Sequence, residues 1–160
     1  MRMRSFLRVV RDVALLLSRI LMGVVLLAHG WHRWQVVGIA KEVALLDAAG
    51  IGNATTIVWI VVGFELIGGI LLVFGLATPL VGLGILVLNL ATILMLRSDE
   101  FYAHQHGWEY NAVQAAVGLL LLAHGSGRAG LDNLFLRPRD DGEELIVDED
   151  DAHRIQPQAF

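Results

Sequence analysis

The sequence predicts an all-α integral membrane protein, a four-helix bundle with one short helix outside it. Four apolar runs are each near the roughly 17 to 25 residues that a spanning helix needs. Hydrophobic residues make up 56% of the chain, the mean hydropathy is +0.61 and only 18% of residues are charged, which is too apolar for an ordinary soluble domain. Each run also keeps one side of small or polar residues, as helices that pack in a bilayer require. These features set the bilayer as the main partner and give no sign of nucleic-acid binding. The chain has no cysteine, so it cannot run thiol–disulfide exchange, hold an iron–sulfur cluster or attach haem covalently.

The first run, Val13 to Trp34, follows Arg2, Arg4, Arg8 and Arg11. A basic start before an apolar run resembles a signal peptide, but Arg19 interrupts the run and three further runs follow, so the helix is read as retained. Those arginines hold the N-terminus in the cytoplasm, and an even number of spans returns the C-terminus there beside Arg128, Arg137 and Arg139. The outer loops then carry only Arg33, Lys41 and Arg97, as expected of a multi-pass plasma-membrane protein. Arg19, Gly23, Gly30 and Arg33 share one face of the helix, which should look inward. Arg19 either snorkels to the inner surface or reaches the carboxylate of the second span.

Between runs one and two, Ile39, Val43 and Leu46 recur at helical spacing and Gly50 supplies a stop. Ile39 to Ala49 is therefore read as a short helix on the outer interface, with Trp31, Trp34 and Trp59 as headgroup-level anchors. The second run, Thr56 to Leu76, carries a single charge, Glu65, near its middle. A carboxylate at that depth is costly, and it persists when it faces protein or water and has partners. Ala77, Thr78 and Pro79 then force a tight antiparallel hairpin into the third run, Pro79 to Leu96. There Gly82, Ile85, Asn89 and Thr92 share a face, while Asn111, Gln114, Ala115, Gly118 and Gly125 form a stripe on the fourth, Glu109 to Gly125.

Counted from the inner ends at 1.5 Å per residue, Glu65, Asn89 and Gln114 all lie about 16 Å up. With Arg19 below them they form an expected buried polar cluster: Arg19, Glu65, Asn89 and Gln114. A second candidate lies at the outer end, where His29, His32 and Arg33 meet His104, His106, Glu109 and Asn111 from the third loop and the start of the fourth span. His-x-His in a loop is read as solvated histidines, and no metal is assigned. Bis-histidine haem fails on depth, since His124 lies at the inner end and His29 at the outer. After the fourth run, Leu131, Leu134 and Leu136 suggest an interfacial segment. Residues 140–160 hold eight acids and one arginine and are expected to be a disordered cytoplasmic tail, leaving 1–139 as the membrane domain.

The first helix with Arg19 and Gly23, HGWHR at His29 to Arg33, GFELIGGILLVFGLATP in the second span, WEYN at Trp108 to Asn111 and GSGRAGLD at Gly125 to Asp132 together resemble the DoxX family of small membrane proteins, over roughly residues 13 to 132. Arg33 stands where that family often has lysine. The resemblance implies a relative of the DoxD and DoxA subunits of a thiosulfate:quinone oxidoreductase, and an association with soluble redox proteins. The expected function is thus a membrane subunit or anchor of a redox complex, quinone being the cofactor implied. A carrier of small solutes or lipids is the alternative that buried polar residues would also serve.

Overall fold

The computed structural model describes residues 2–96, 100–105 and 107–125. Their regular structure is entirely helical. Helix α1 runs Arg2–Trp31 and passes through a π-helical segment, His32–Gly38, into α2, Ile39–Ala48. Helices α3, Ala54–Phe74, and α4, Thr78–Leu96, follow, then a 3-10 turn at Ala103–Gln105 and α5, Glu109–His124. Among the described residues there is no strand. The segment 131–136 and the tail 140–160 lie outside the described residues, as do Arg97 and His106.

Helix α1 with its continuation, α3 and α4 are long and apolar enough to cross a membrane. The chain is a membrane protein, and its surface shows it. Ile60, Ile67 and Ile70 on α3, Val87 and Leu94 on α4, and Val113 and Leu120 on α5 are all exposed. Such a continuous apolar exterior suits lipid and would be a liability in water. Two helices differ from the expected lengths. Helix α1 begins at Arg2, so its 30 residues extend about 45 Å. Helix α5 has 16 residues, about 24 Å, short of the length of a typical spanning helix.

The α3–α4 turn is fixed by a Schellman motif: Leu76 N–H donates to the Leu71 carbonyl at 2.8 Å and Gly75 N–H to that of Leu72 at 3.0 Å. Gly75 sits at φ 70°, a conformation that costs a residue with a Cβ. Pro79 then occupies the first turn of α4, where no N–H is needed.

The helices pack as two close antiparallel pairs, α1 with α3 and α4 with α5. Glycine sets both approaches. A Cβ on Gly23 would lie 2.8 Å from the Gly69 carbonyl oxygen, and one on Gly69 would lie 2.8 Å from that of Gly23. Gly82 and Gly118 stand in the same reciprocal relation, again at 2.8 Å. Between the pairs, Met22, Leu26, Leu72, Val81, Ile85 and Leu121 form one buried core. Phe64 adds a wedge, its ring filling the space beside Gly84 that a larger residue would take. A second core joins Leu46 of α2 to Ala54, Val58 and Val62 of α3, so α2 folds back over the start of α3. We call this the α2 end of the molecule and the opposite one the hairpin end.

Candidate functional site

A spanning helix holds a carboxylate only at a cost, so the surroundings of Glu65 show what the fold does with it. Its register is set by α1: a Cβ on Gly30 would lie 3.0 Å from the Glu65 Cβ, so the missing side chain makes room for the carboxylate. Glu65 is 3% exposed. Three residues past Gly30, in the π-helical segment that continues α1, Arg33 places its Nε 3.2 Å from Glu65 Oε1. The same guanidinium reaches forward to α2, where Nη1 donates to Glu42 Oε2 at 2.7 Å. One cation therefore serves two carboxylates, and Glu65 Oε2 is buried with no hydrogen-bond partner. The π-helical turn begins at His32, which places Arg33 in the segment leading to α2, between the helix that bears Glu42 and the one that bears Glu65.

Beside this triad lies a slot of about 700 Å³ beneath α2, between α3 and α4. Its walls are mostly aliphatic, with Leu45, Leu46, Ile57, Val61, Leu88 and Met95 among them. Its polar groups are His29, His32, Arg33, Glu42 and Thr92. His29 is held firmly, with Nδ1 2.8 Å from the Val25 carbonyl oxygen and its ring stacked on Tyr110 at 5.7 Å between centroids and 21° between planes. Thr92 donates its hydroxyl hydrogen to the Leu88 carbonyl at 2.9 Å. A mostly apolar cavity lined by a few polar groups is the usual composition of a small-molecule site.

The expected buried cluster is divided by the structure. Asn89 is buried and donates to the Ile85 carbonyl at 2.9 Å, and its Oδ1 accepts from Asn111 Nδ2 at 2.8 Å. Asn111, expected in the outer pocket, is thus the partner of Asn89. Gln114 instead donates to the Tyr110 hydroxyl at 3.1 Å. Arg19 is buried one turn from Gly23, whose neighbours Gly69 and Val73 lie near the end of α3. It therefore belongs to the hairpin end, about 16 Å along α1 from the Gly30 level where Glu65 sits.

The expected outer pocket is also divided. His29, His32 and Arg33 line the slot. His104 lies against Tyr102 on an exposed turn, and Glu109 Oε2 accepts from the Ala103 N–H at 3.2 Å, which ties down the loop. Among the described residues no three His, Asp or Glu side chains converge on a metal position. Sequence reasoning missed Glu42 and Tyr110. Glu42 follows Arg33 by nine residues, a spacing that brings the two together only because the chain turns at Gly38.

The DoxX family profile matches residues 14–98. The Bacillus subtilis (strain 168) protein named "Putative oxidoreductase CatD" is 24% identical over 131 residues, covering 82% of this chain and 93% of that protein. No solved structure matches.

Proposed function

This chain belongs to the DoxX family, and on that premise we propose that it is the membrane subunit of a quinone-linked redox complex, with the slot beneath α2 receiving the quinone ring. The observation that carries this reading is the joining of a largely aliphatic slot to the ionic triad of Arg33, Glu42 and the buried Glu65. Ionisable groups within a membrane span are expensive enough to mark a working site, and a quinone needs both an apolar channel for its tail and polar groups for its ring oxygens. The oxidoreductase designation of the similar Bacillus protein supports the same class. With no cysteine, this chain offers no thiolate chemistry of its own, and the electrons would arrive through a partner protein docked to the complex.

In this reading α5 is the fourth crossing helix of a bundle in the plasma membrane and α2 rests at the outer interface. Seven arginines flank the inner side, four before the first apolar run and three after the fourth, and this bias sets both termini in the cytoplasm. The acidic residues 140–151 then face the cytoplasm, where soluble redox proteins would meet them.

Two experiments test the proposal. Protein purified in mild detergent from its own cells should carry close to one quinone per chain in a solvent extract. A quinone content no higher than that of an unrelated multi-pass protein prepared alongside removes the quinone link. Single cysteines placed at Gln105 and Gln158 of this cysteine-free chain test the topology. An impermeant thiol reagent should label only the first in intact cells, and the reverse pattern overturns the orientation.

A further inference from the structure

We propose that the slot is loaded from within the bilayer, through a window between α3 and α4, and that its ligand keeps a long hydrocarbon tail in that window while its ring lies inside. This rests on the reading of the slot as a quinone-ring site and adds the route to it and the pool that supplies it, a quinone dissolved in the membrane.

Helices α1, α3, α4 and α5 meet along four seams, and near the level of the slot three of them are closed. Gly30 of α1 lies against Glu65 and Leu66 of α3. His29 of α1 stacks on Tyr110 of α5, and Asn111 of α5 donates to Asn89 of α4. In the fourth seam the approaches of α3 to α4 lie toward the hairpin end, where Val81 reaches Gly68 and the Phe64 ring fills the space beside Gly84. At the other end, Leu96 of α4 packs against the core that α2 shares with α3. Between these two closures the facing residues line the slot: Ile57 and Val61 on α3, and Leu88, Ala91 and Thr92 on α4. Along α4, the stretch from Gly84 to Leu96 is about 18 Å.

The window has an apolar lip. Met95 of α4 and Leu45 of α2 line the slot and are also exposed on the outside of the molecule. Ile60 and Leu94 are exposed on the same two spanning helices, as a surface that meets lipid should be. The charged groups of the lining come from elsewhere, Arg33 from the segment that continues α1 and Glu42 from α2. A ligand entering between α3 and α4 therefore leads with its polar ring and trails its tail. A slot of about 700 Å³ suits one drug-sized molecule, so a ring bearing a long tail does not fit whole and the tail must leave past apolar walls. Moving each methylene of such a tail into water costs free energy, which keeps the ligand in the bilayer and brings it to the window by lateral diffusion.

The chain has no cysteine, so paired cysteines can be bridged without side reactions. Ile57→Cys with Ala91→Cys spans the window, and Leu46→Cys with Val58→Cys ties α2 to α3 within their shared core. Each pair is joined by a short reducible bismaleimide in the full-length protein, held in phosphatidylcholine vesicles, and the probe is a decyl-substituted quinone. Bridging the window should slow uptake at least about tenfold, and cleaving the bridge should restore it. Bridging after loading should trap the probe by a similar factor, which a bridge that only filled the slot would not do. Bridging α2 should leave uptake unchanged. Uptake that the window bridge does not slow, or that the α2 bridge slows as much, overturns this inference and leaves the quinone-ring site standing. No binding of the probe by the unaltered protein overturns both. Where the paired variants fail to fold, a decylquinone with a diazirine at its tail end decides the matter on the unaltered protein. Its label should fall on residues 57–61 and 91–96, and label confined to the His32–Gly38 segment and α2 overturns the route.

Discussion

The α1–α3 pair and the α4–α5 pair are built on the same crossing and differ in what lies beside it. Each pair meets at two glycines whose backbones approach so closely that either Cβ would strike the other's carbonyl oxygen. In α4–α5, seven residues from each glycine, Asn89 and Asn111 form one hydrogen bond, and Asn89 turns its amide back onto its own helix. In α1–α3, Glu65 stands four residues from Gly69 and meets Arg33, which lies ten residues past Gly23 in the segment that continues α1, with Glu42 drawn in from α2. The amide pair is neutral and matched. The ionic group has two anions for one cation and an acceptor to spare. Packing in a bilayer needs only the first kind of contact. The second kind sits beside a slot, and the contrast separates a pair that fixes register from a group available for chemistry.

The largest expected effect tests the half the pairs share. Gly82→Val should abolish folding, because the added Cβ would lie 2.7 Å from the Leu122 nitrogen and 2.8 Å from the Gly118 oxygen, both backbone atoms. No side-chain rotation relieves that contact, so the helices must part, at about 3 kcal/mol or more. Gly23→Val should behave alike. Gly63→Ala is the control, with nothing within 4 Å of the new Cβ and a better helix former in place. Monodisperse yield by size-exclusion chromatography and the thermal midpoint in detergent would show it, and a Gly82→Val protein of normal yield would mean the crossing is not what holds α4 to α5.

The next effect breaks the symmetry. Arg33→Ala leaves Glu65 buried without its cation, and removing one partner of a buried pair costs about 3 to 5 kcal/mol. The Arg33 side chain is 31% exposed, so solvent screening brings the expected loss to about 2 kcal/mol. Replacing both charges, with Arg33→Met and Glu65→Leu, should recover most of that stability, since a well-packed apolar pair often matches an ionic one. It should not recover quinone retention. A double variant that is stable and still keeps its quinone would show the triad to be structural, like the asparagines.

The comparison also shows what a single sequence can reveal. Apolar runs, the tight turn at Ala77 to Pro79 and the short helix near Ile39 follow from periodicity and turn chemistry, which are local. Glu65 was conspicuous because charge within an apolar run is rare. Its partner was not, because register between helices is set by which glycines meet, and apolar runs do not encode that. Counting depth from helix ends put Glu65, Asn89 and Gln114 at one level, yet Asn111, one turn from Gln114, holds the inward position. The charge and helix face of Arg19 suggest a reach toward Glu65, whereas the Gly23 and Gly69 contact places it a long way from that carboxylate. Glu42 was invisible for a related reason: only the bend at Gly38 returns it to Arg33.

The smallest effect is the most discriminating, because it asks whether the asparagines do anything beyond joining two helices. Asn89 and Asn111 are both buried, so Asn111→Leu leaves Asn89 Oδ1 without its donor. In a membrane, interhelical hydrogen bonds contribute only about 0.6 kcal/mol on average, because the separated helices find other partners. A double-mutant cycle with Asn89→Leu, Asn111→Leu and the pair should therefore give a coupling near that size, read from thermal or denaturant unfolding in detergent. Quinone content should stay at the unaltered level in all three variants, since the bond lies outside the polar lining of the slot. A coupling of about 2 kcal/mol or more, or a loss of quinone in the double variant, would put the asparagines and the ionic triad in one network, and the division between a structural pair and a working one would fall.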